Sequence, residues 1–194
     1  MKFPKSNKNK GFTLAELLVT IFIIGLLSSI LVVNWRRNEN QYQLQRVAQT
    51  VVQDIRKTQQ MALTGSKYNG QLPNKNYGLV FSTLTPLSYK IFGDMNNNRE
   101  YDSNDLSIAD ISIESGFEIG LITVFRSQGG GTTQSVTTVY ASFSLPDAFT
   151  TVKANISPPW QDSTTITVRK VGATCPSANC KNIIIKTTGQ VSIQ

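Results

Sequence analysis

The 194-residue sequence contains no histidine, only two cysteines and 16% charged residues. Without histidine the chain lacks the imidazole that acts as the base in most catalytic triads and as a ligand in most catalytic zinc sites. It also contains no nucleophile elbow, and its carboxylates are not paired outside one Asp- and Asn-rich loop. These absences predict that the protein is not an enzyme.

Acidic residues are missing from the N-terminal segment. The formal net charge of the chain is +7, and Lys2, Lys5, Lys8 and Lys10 lie within the first 11 residues, which hold no acid. More than half of the net charge therefore belongs to that segment, and the rest of the chain is close to neutral. This distribution argues against a broad nucleic-acid-binding surface.

A long apolar run follows, from residue 12 to residue 33, and Glu16 is its only charged residue. A helix of this length reaches about 33 Å, enough for a hydrocarbon core of about 30 Å. The lysines in front of it predict that the N-terminus stays in the cytoplasm. The run therefore predicts a single-pass anchor in the cytoplasmic (inner) membrane, with the remainder of the chain outside.

Glu16 distinguishes this run from simpler membrane signals. A secretory signal peptide has a shorter apolar region and a cleavage site of small residues, and neither is found here. An uncleaved signal anchor fits the hydropathy, but it does not account for a carboxylate that costs about 2.5–3.5 kcal/mol in the centre of a bilayer. Such a residue normally has a partner, and the lysines of this chain lie on the wrong side of Gly11.

The ten residues from Lys10 to Val19, KGFTLAELLV, resemble the processing site of type IV prepilins and type II secretion pseudopilins. The resemblance implies that a membrane aspartyl peptidase cuts between Gly11 and Phe12, and that Phe12 becomes the N-methylated terminus. It also implies that Glu16 neutralises the terminal ammonium of a neighbouring subunit within a filament. The physics agrees, because an ammonium and a carboxylate that are each costly in lipid offset each other when paired. A signal anchor with an isolated glutamate is the alternative.

The apolar run continues into a helical pattern. No glycine follows the run before Gly65 and no proline before Pro73, and apolar residues recur between residues 44 and 62 at helical spacing. We predict one helix from about residue 12 to residue 63, closed by Thr64 and Gly65. We predict that its second half is amphipathic and packs against the C-terminal part of the chain, which we call the head. A coiled coil is the alternative, but the stripe of apolar residues lasts less than three heptads.

The pattern changes to short β-branched and aromatic runs after residue 76, separated by turn signals. These runs cover residues 77–81, 88–92, 117–125, 136–143, 164–171 and 182–186. They predict an antiparallel sheet or sandwich with the long helix laid across it, and hence an α+β fold that the resemblance identifies as a pilin fold. The glycines at 129–131 predict a flexible hairpin loop rather than a phosphate-binding loop.

These predictions divide the chain into four parts by function. Residues 1–11 form the leader peptide, and residues 12–33 form the membrane-spanning and filament-core helix. Residues 34–65 form the amphipathic continuation of the helix, and residues 66–194 form a β-rich head outside the cytoplasm.

The segment between the second and third predicted strands, 88–92 and 117–125, contains a loop rich in side chains that carry oxygen atoms. The spacing of these side chains is close to that of the ligands in an EF-hand calcium loop, which occupy alternating positions. The candidate ligands are Asp94, Asn96, Asn98, Glu100 (through its carbonyl), Asp102 and Asp105. Arg99 replaces the usual glycine, however, and strands flank the loop. A weak calcium site and a polar loop held by Asx-turns are both open, and no other cofactor is expected.

Cys175 and Cys180 form the only cysteine pair. In a head exported across the membrane a disulfide is the expected state, and a free thiol pair is the alternative if the exterior is reducing. The spacing excludes a C-x₂-C metal or redox motif. The disulfide would stiffen the loop before the last hairpin.

A second, looser resemblance concerns residues 88–106 and 183–193, which are similar to segments of the GspH/FimT branch of minor pilins and pseudopilins. Some members of that branch bind DNA for uptake through a G-R-x-R tail. The corresponding residues here, from Gly189 to Ser192, read GQVS, so the basic pair is missing. This difference argues against DNA binding.

The combined prediction is a structural subunit, a minor pilin or pseudopilin, of a type IV pilus or a type II secretion-like filament. The resemblance implies as partners other pilin subunits, prepilin peptidase, an assembly ATPase and a platform protein in the membrane. A DNA-uptake minor pilin and a membrane-anchored extracytoplasmic binding protein are the alternatives.

Overall fold

The computed structural model describes residues 11–128 and 130–194, and the side chains of all of these except residues 30–38. The predicted leader therefore lies, apart from Gly11, outside the described residues, as does Gly129 of the predicted glycine loop. The chain divides into two compact units, Met1–Asn40 and Gln41–Gln194.

The described residues form a helix followed by strands. The helix is α1 (Leu14–Thr64), and the strands are β1 (Asn76–Ser82), β2 (Ser88–Asp94), β3 (Leu106–Ser112), β4 (Phe117–Arg126), β5 (Thr132–Val136), β6 (Thr138–Ser144), β7 (Phe149–Ala154), β8 (Trp160–Gln161), β9 (Ser163–Lys170), β10 (Cys180–Lys186) and β11 (Val191–Ile193).

Helix α1 ends as its sequence predicts. Gly65 follows Thr64 and adopts a φ of 58°, the left-handed conformation that glycine takes without the penalty of a Cβ. The N–H of Ser66 then donates to the carbonyl of Met61 over 3.2 Å, which satisfies one of the carbonyl groups left free by the last turn. This arrangement is a Schellman motif, and it directs the chain out of the helix.

The strands form two antiparallel sheets. The first has the order β3-β2-β1-β6-β7-β8, and the second has the order β11-β10-β9-β4-β5. Neighbouring strands in both sheets pair in the antiparallel sense. The prediction of an α+β fold with antiparallel strands is confirmed.

The hydrophobic core of the unit Gln41–Gln194 combines the helix with both sheets. Residues of α1 from Leu44 to Ala62 belong to the same buried cluster as Tyr77 and Phe81 of the first sheet and Ile166 of the second. The apolar stripe of the helix is thus covered by strands, as its spacing predicts. The predicted head begins at residue 66, whereas this unit begins at Gln41, because the helical residues supply part of its core.

One predicted strand is in fact two. The run 136–143 reads as a single strand, but Val136 ends β5 in the second sheet and Thr138 begins β6 in the first. Between them, the carbonyl of Thr137 accepts a hydrogen bond from the N–H of Thr83 over 2.8 Å. The chain changes sheets at this residue without any turn signal, so the local pattern alone could not show the break.

Gly78 in β1 permits a close contact that a larger residue would prevent. A Cβ at this position would lie 2.6 Å from a ring carbon of Phe92, which is fully buried, and 3.2 Å from the Oγ of Ser142. The face of the first sheet that carries these residues is opposite the core cluster and is closed by the loop after β2, as described below. Packing here therefore depends on the absence of a side chain.

We predict that Gly78→Ala lowers the free energy of unfolding by about 2 kcal/mol, because the Phe92 ring must shift within a packed site. Ser142→Ala at the neighbouring position should be neutral or stabilising, because its buried hydroxyl has no hydrogen-bond partner among the described residues. Urea denaturation of the two variants measures the difference. Equal stability of Gly78→Ala and the parent chain would contradict this account of the contact.

Candidate functional site

The predicted cleavage site lies immediately before α1. Gly11, Phe12 and Thr13 are not helical and are exposed, and the side chain of Phe12 is 83% exposed. Apart from its two neighbours in the chain, no described residue has an atom within 4 Å of the position that a Cβ on Gly11 would take. The bond between Gly11 and Phe12 is therefore accessible from outside the folded chain.

Glu16 has a local role that the sequence analysis missed. Its Oε2 accepts hydrogen bonds from the backbone N–H and the Oγ1 of Thr13, each over 2.9 Å, and its own N–H donates to that Oγ1 over 3.3 Å. This reciprocal pattern is a capping box, which satisfies donors that the first turn of a helix leaves free. The spacing T-x-x-E before an apolar run is the signal that could have revealed it.

The first part of α1 exposes many large hydrophobic side chains. Its large hydrophobic side chains between residues 12 and 27 are each 49–83% exposed. They are Phe12, Leu14, Leu17, Leu18, Val19, Ile21, Phe22, Ile23, Ile24, Leu26 and Leu27. Exposed apolar side chains in this number are typical of a surface that contacts a membrane or another protein.

Among the described residues, no helix combines the length and the hydropathy that crossing a membrane requires. The span predicted at residues 12–33 is not confirmed and stays a prediction.

The residues predicted to bind calcium form a loop, residues 94–105, that is tied together by its own hydrogen bonds. Asp94 at the end of β2 is fully buried. Its Oδ1 accepts from the N–H of Asn97, and its Oδ2 accepts from the N–H of Arg99 (2.9 Å) and from Nδ2 of Asn76 (3.0 Å). Both Asn97 and Arg99 have positive φ angles, of 63° and 61°. The carboxylate of Asp94 thus stabilises a turn in which Asn97 and Arg99 adopt the left-handed conformation.

Asp102 gathers a second set of donors in the same loop. Its Oδ2 accepts from Nδ2 of Asn96 (2.7 Å) and of Asn98 (3.0 Å), and its Oδ1 accepts from the N–H of Asn104 (2.7 Å). These bonds, with that from the Asn104 backbone foremost, lower the pKa of Asp102. The side-chain oxygens of Asn96 and Asn98 each accept from a backbone N–H two residues later, which is the Asx-turn geometry.

Asp105 closes the loop onto its beginning. Its Oδ1 accepts from the N–H of Met95 and its Oδ2 from the N–H of Asp102, both over 2.9 Å, while burial raises the pKa of this carboxyl. Within the part of the chain that the structure describes, no three acidic or cysteine side chains are placed to hold a metal ion. Calcium binding stays a prediction, and the hydrogen bonds within the loop favour the Asx-turn alternative.

The 94–105 loop also folds back over the first sheet. Lys153 of β7 donates to the carbonyl of Asn98 (2.9 Å) and pairs with the carboxylate of Glu100 (2.8 Å). The guanidinium of Arg99 lies 5.4 Å from the ring centre of Trp160 in β8. On the strand side, Tyr101 contacts the ring of Phe92, with centroids 5.6 Å apart. The loop therefore shields Phe92, which the core cluster on the other face does not reach.

Cys175 and Cys180 form a disulfide, as the sequence predicts. Cys180 is the first residue of β10, and its N–H donates to the carbonyl of Ser177 over 3.1 Å. The bond closes the connection between β9 and β10.

The last two strands, β10 and β11, form an antiparallel hairpin over residues that include the second resemblance, 183–193. Gly189 has a φ of 85°, and the N–H of Lys186 donates to the carbonyl of Gln190 over 3.0 Å. The positions from Gly189 to Ser192, where the resemblance would place two arginines, carry no cation.

Comparison with known proteins places one established motif in the chain. The family model described as the prokaryotic N-terminal methylation motif matches residues 6–32, a segment typical of type IV prepilins and pseudopilins. The match includes the exposed junction between Gly11 and Phe12 and the capping glutamate Glu16. No curated protein and no solved structure matches the chain.

Proposed function

We propose that the protein is a prepilin-type structural subunit, a minor pilin or pseudopilin, of a type IV pilus or a type II secretion-like filament. The observation that carries this proposal is the N-terminal methylation motif over residues 6–32. A motif of that kind indicates a substrate of prepilin peptidase, and its position coincides with an accessible peptide bond just before a long helix. The protein acts by assembling rather than by catalysis.

Processing is the first step of the proposed pathway. Prepilin peptidase cuts between Gly11 and Phe12, and Phe12 becomes the methylated N-terminus. Cleavage here leaves α1 intact, because the helix begins at Leu14 and Thr13 remains as its capping residue. The mature chain then carries an ammonium group two residues before an apolar helix.

Assembly follows from the exposed apolar surface of that helix. Residues 12–33 lie in the cytoplasmic membrane before assembly, and the helix then leaves lipid for contacts with the helices of other subunits. Glu16 pairs with the N-terminal amine of a neighbouring subunit, so that neither charge stays unpaired in an apolar medium. The lysines of the leader remain on the cytoplasmic side, and the unit from Gln41 onward faces outward.

The finer assignment concerns the branch of the family. Residues 88–106 and 183–193, which resemble segments of the GspH/FimT branch, cover β2 with the loop after it and most of the hairpin of β10 and β11. We therefore propose membership of that branch, with an assembly ATPase and a platform protein as further partners. Nothing in the described residues favours the DNA-uptake alternative.

The mass of the mature protein tests the proposal. Protein isolated from membranes of the producing cell should lack residues 1–11 and carry one added methyl group on Phe12, as intact-mass and N-terminal peptide analysis would show. Gly11→Val should block the cut without affecting folding, because no described residue beyond its chain neighbours lies within 4 Å of a Cβ at this position. Gly25→Ala, at a second glycine with open space around it, is the matched control and should be processed normally. A parent chain with an intact N-terminus would reject the prepilin assignment.

A further inference from the structure

A groove runs between α1 and the last strand of the second sheet. Its volume is about 430 Å³, which is within the range of ligand-binding clefts. The residues that line it are Gln49, Val52, Gln53, Arg56, Val191, Ser192 and Ile193. We call this the β11 groove. All of its residues belong to the unit Gln41–Gln194.

One wall of the groove is an open sheet edge. β11 is the terminal strand of its sheet and pairs only with β10. Gln194 exchanges two backbone hydrogen bonds with Asn182, over 2.8 and 3.0 Å. Because bonded and non-bonded pairs alternate along an antiparallel ladder, the N–H and C=O groups of Val191 and Ile193 point away from β10. These groups have no hydrogen-bond partner among the residues that the structure describes.

The opposite wall is the polar side of the helix. Gln49 and Gln53 are exposed and lie one turn apart, so both amides face the groove from the same side of α1. A glutamine amide both donates and accepts hydrogen bonds, as a peptide group does. Between the two walls, Val52 is buried, and Val191 and Ile193 are half-buried against the core cluster. The groove thus has an apolar floor and neutral polar walls.

Arg56 supplies the only charge among the seven lining residues. It is exposed and has no ion pair among the described residues, whereas the other arginine exposed on this part of the helix, Arg46, pairs with Glu114. An arginine fork matches the two oxygens of a carboxylate. One cation is too few for a nucleic-acid backbone, which is normally held by several.

We propose that the β11 groove binds an extended peptide of another protein, which adds to the edge of β11 as a further strand and places a carboxylate on Arg56. An extended chain pairs with the outward groups of Val191 and Ile193, and its alternate side chains fit the apolar floor. A purely apolar ligand would leave those backbone groups unpaired. The proposal concerns recognition by the outward-facing unit and does not depend on how the N-terminus is processed.

The test uses the full chain in detergent micelles and two fluorescent peptide probes. The first is an octapeptide with a lysine at its start, alternating threonine and valine, and an aspartate with a free carboxyl group at its end. The second has the same sequence with asparagine and a terminal amide. We expect saturable binding of the first probe, at least about tenfold tighter than the second, as measured by fluorescence anisotropy.

Arg56 and Lys57 are adjacent in the chain and both exposed, so they give a matched pair of variants. Arg56→Gln should weaken binding of the first probe about tenfold, because it removes the charge that meets the carboxylate. Lys57→Gln removes the same charge from a residue that does not line the groove, and it should change the affinity less than about twofold.

Hydrogen exchange in β11 gives a readout that does not depend on any variant. The amides of Val191 and Ile193 should exchange more slowly when the peptide is bound, while that of Ser192, which points toward β10, should be unchanged. No saturable binding, equal affinity for both probes, equal loss in Arg56→Gln and Lys57→Gln, or displacement of the peptide by duplex DNA would each overturn the proposal.

Discussion

Changing Glu16 to glutamine should lower incorporation of the subunit into filaments by at least about a hundredfold, even though the helix keeps its cap. Glutamine at this position of a capping box still accepts from the N–H and hydroxyl of Thr13, so the first turn of α1 is preserved. What is lost is the charge. If assembly proceeds as proposed, the ammonium of a neighbour's Phe12 would then lie unpaired in an apolar medium, and breaking a buried ion pair in this way costs about 3–5 kcal/mol.

Thr13→Ala is the control that separates the two roles of Glu16. It removes the hydroxyl from the capping box but leaves the carboxylate charged, so it should cost only about 1 kcal/mol of helix stability and leave most incorporation intact. The measurement is the amount of each variant in sheared filaments relative to the membrane fraction, by immunoblot. If Glu16→Gln assembles normally while Thr13→Ala does not, the glutamate acts only as a cap and the pairing account is wrong.

The C-terminal end of α1 was predicted from local chemistry, whereas the capping box at its start was missed although its signal is equally local. Thr13 caps the start and Gly65 closes the end, and both residue types act through bonds within one turn of the helix. The stripe from Leu44 to Ala62 similarly shows which side is buried without showing what covers it. That information lies in the strands, far away in sequence.

The sheet was harder to predict where its strands are short or polar. β3 carries Asp110 and exposed serines, and β8 has only two residues, so neither has the β-branched run that identifies a strand. Their pairing partners in the sheet determine them instead. The change of sheet at Thr137 has the same origin, because a non-local bond to Thr83 rather than a turn residue marks it.

The candidate sites show the same division between local and distant determinants. The motif around Gly11 and Glu16 is contiguous and was found from sequence. The disulfide was predicted because the chain has one cysteine pair in a head that we expect to be exported. The spacing of oxygen side chains after β2 was also visible. The way the loop packs could not be predicted, because it depends on Lys153 and Trp160. These two residues lie more than fifty residues away and hold the loop over the sheet.

Asp94→Ala should lower the free energy of unfolding by about 3 kcal/mol, and by the same amount in calcium and in chelator. The carboxylate is fully buried and accepts from the backbone of Asn97 and Arg99 and from the side chain of Asn76. Alanine leaves these donors without a partner, at about 1–3 kcal/mol for each one that water does not reach. The left-handed turn at Asn97 and Arg99 also loses the group that holds it.

Asp102→Ala is the matched control, since it removes a carboxylate of the same loop that also accepts three hydrogen bonds. Its donors, the amides of Asn96 and Asn98 and the N–H of Asn104, lie where water can replace the carboxylate, so the loss should stay below about 1 kcal/mol. Urea denaturation of the full chain in detergent, followed by tryptophan fluorescence, measures both variants. If the loop binds calcium, the ion would stabilise the parent chain by mass action, and this stabilisation would disappear in both variants. Such a result would show that the loop binds the ion. Its hydrogen bonds would then describe only the metal-free state.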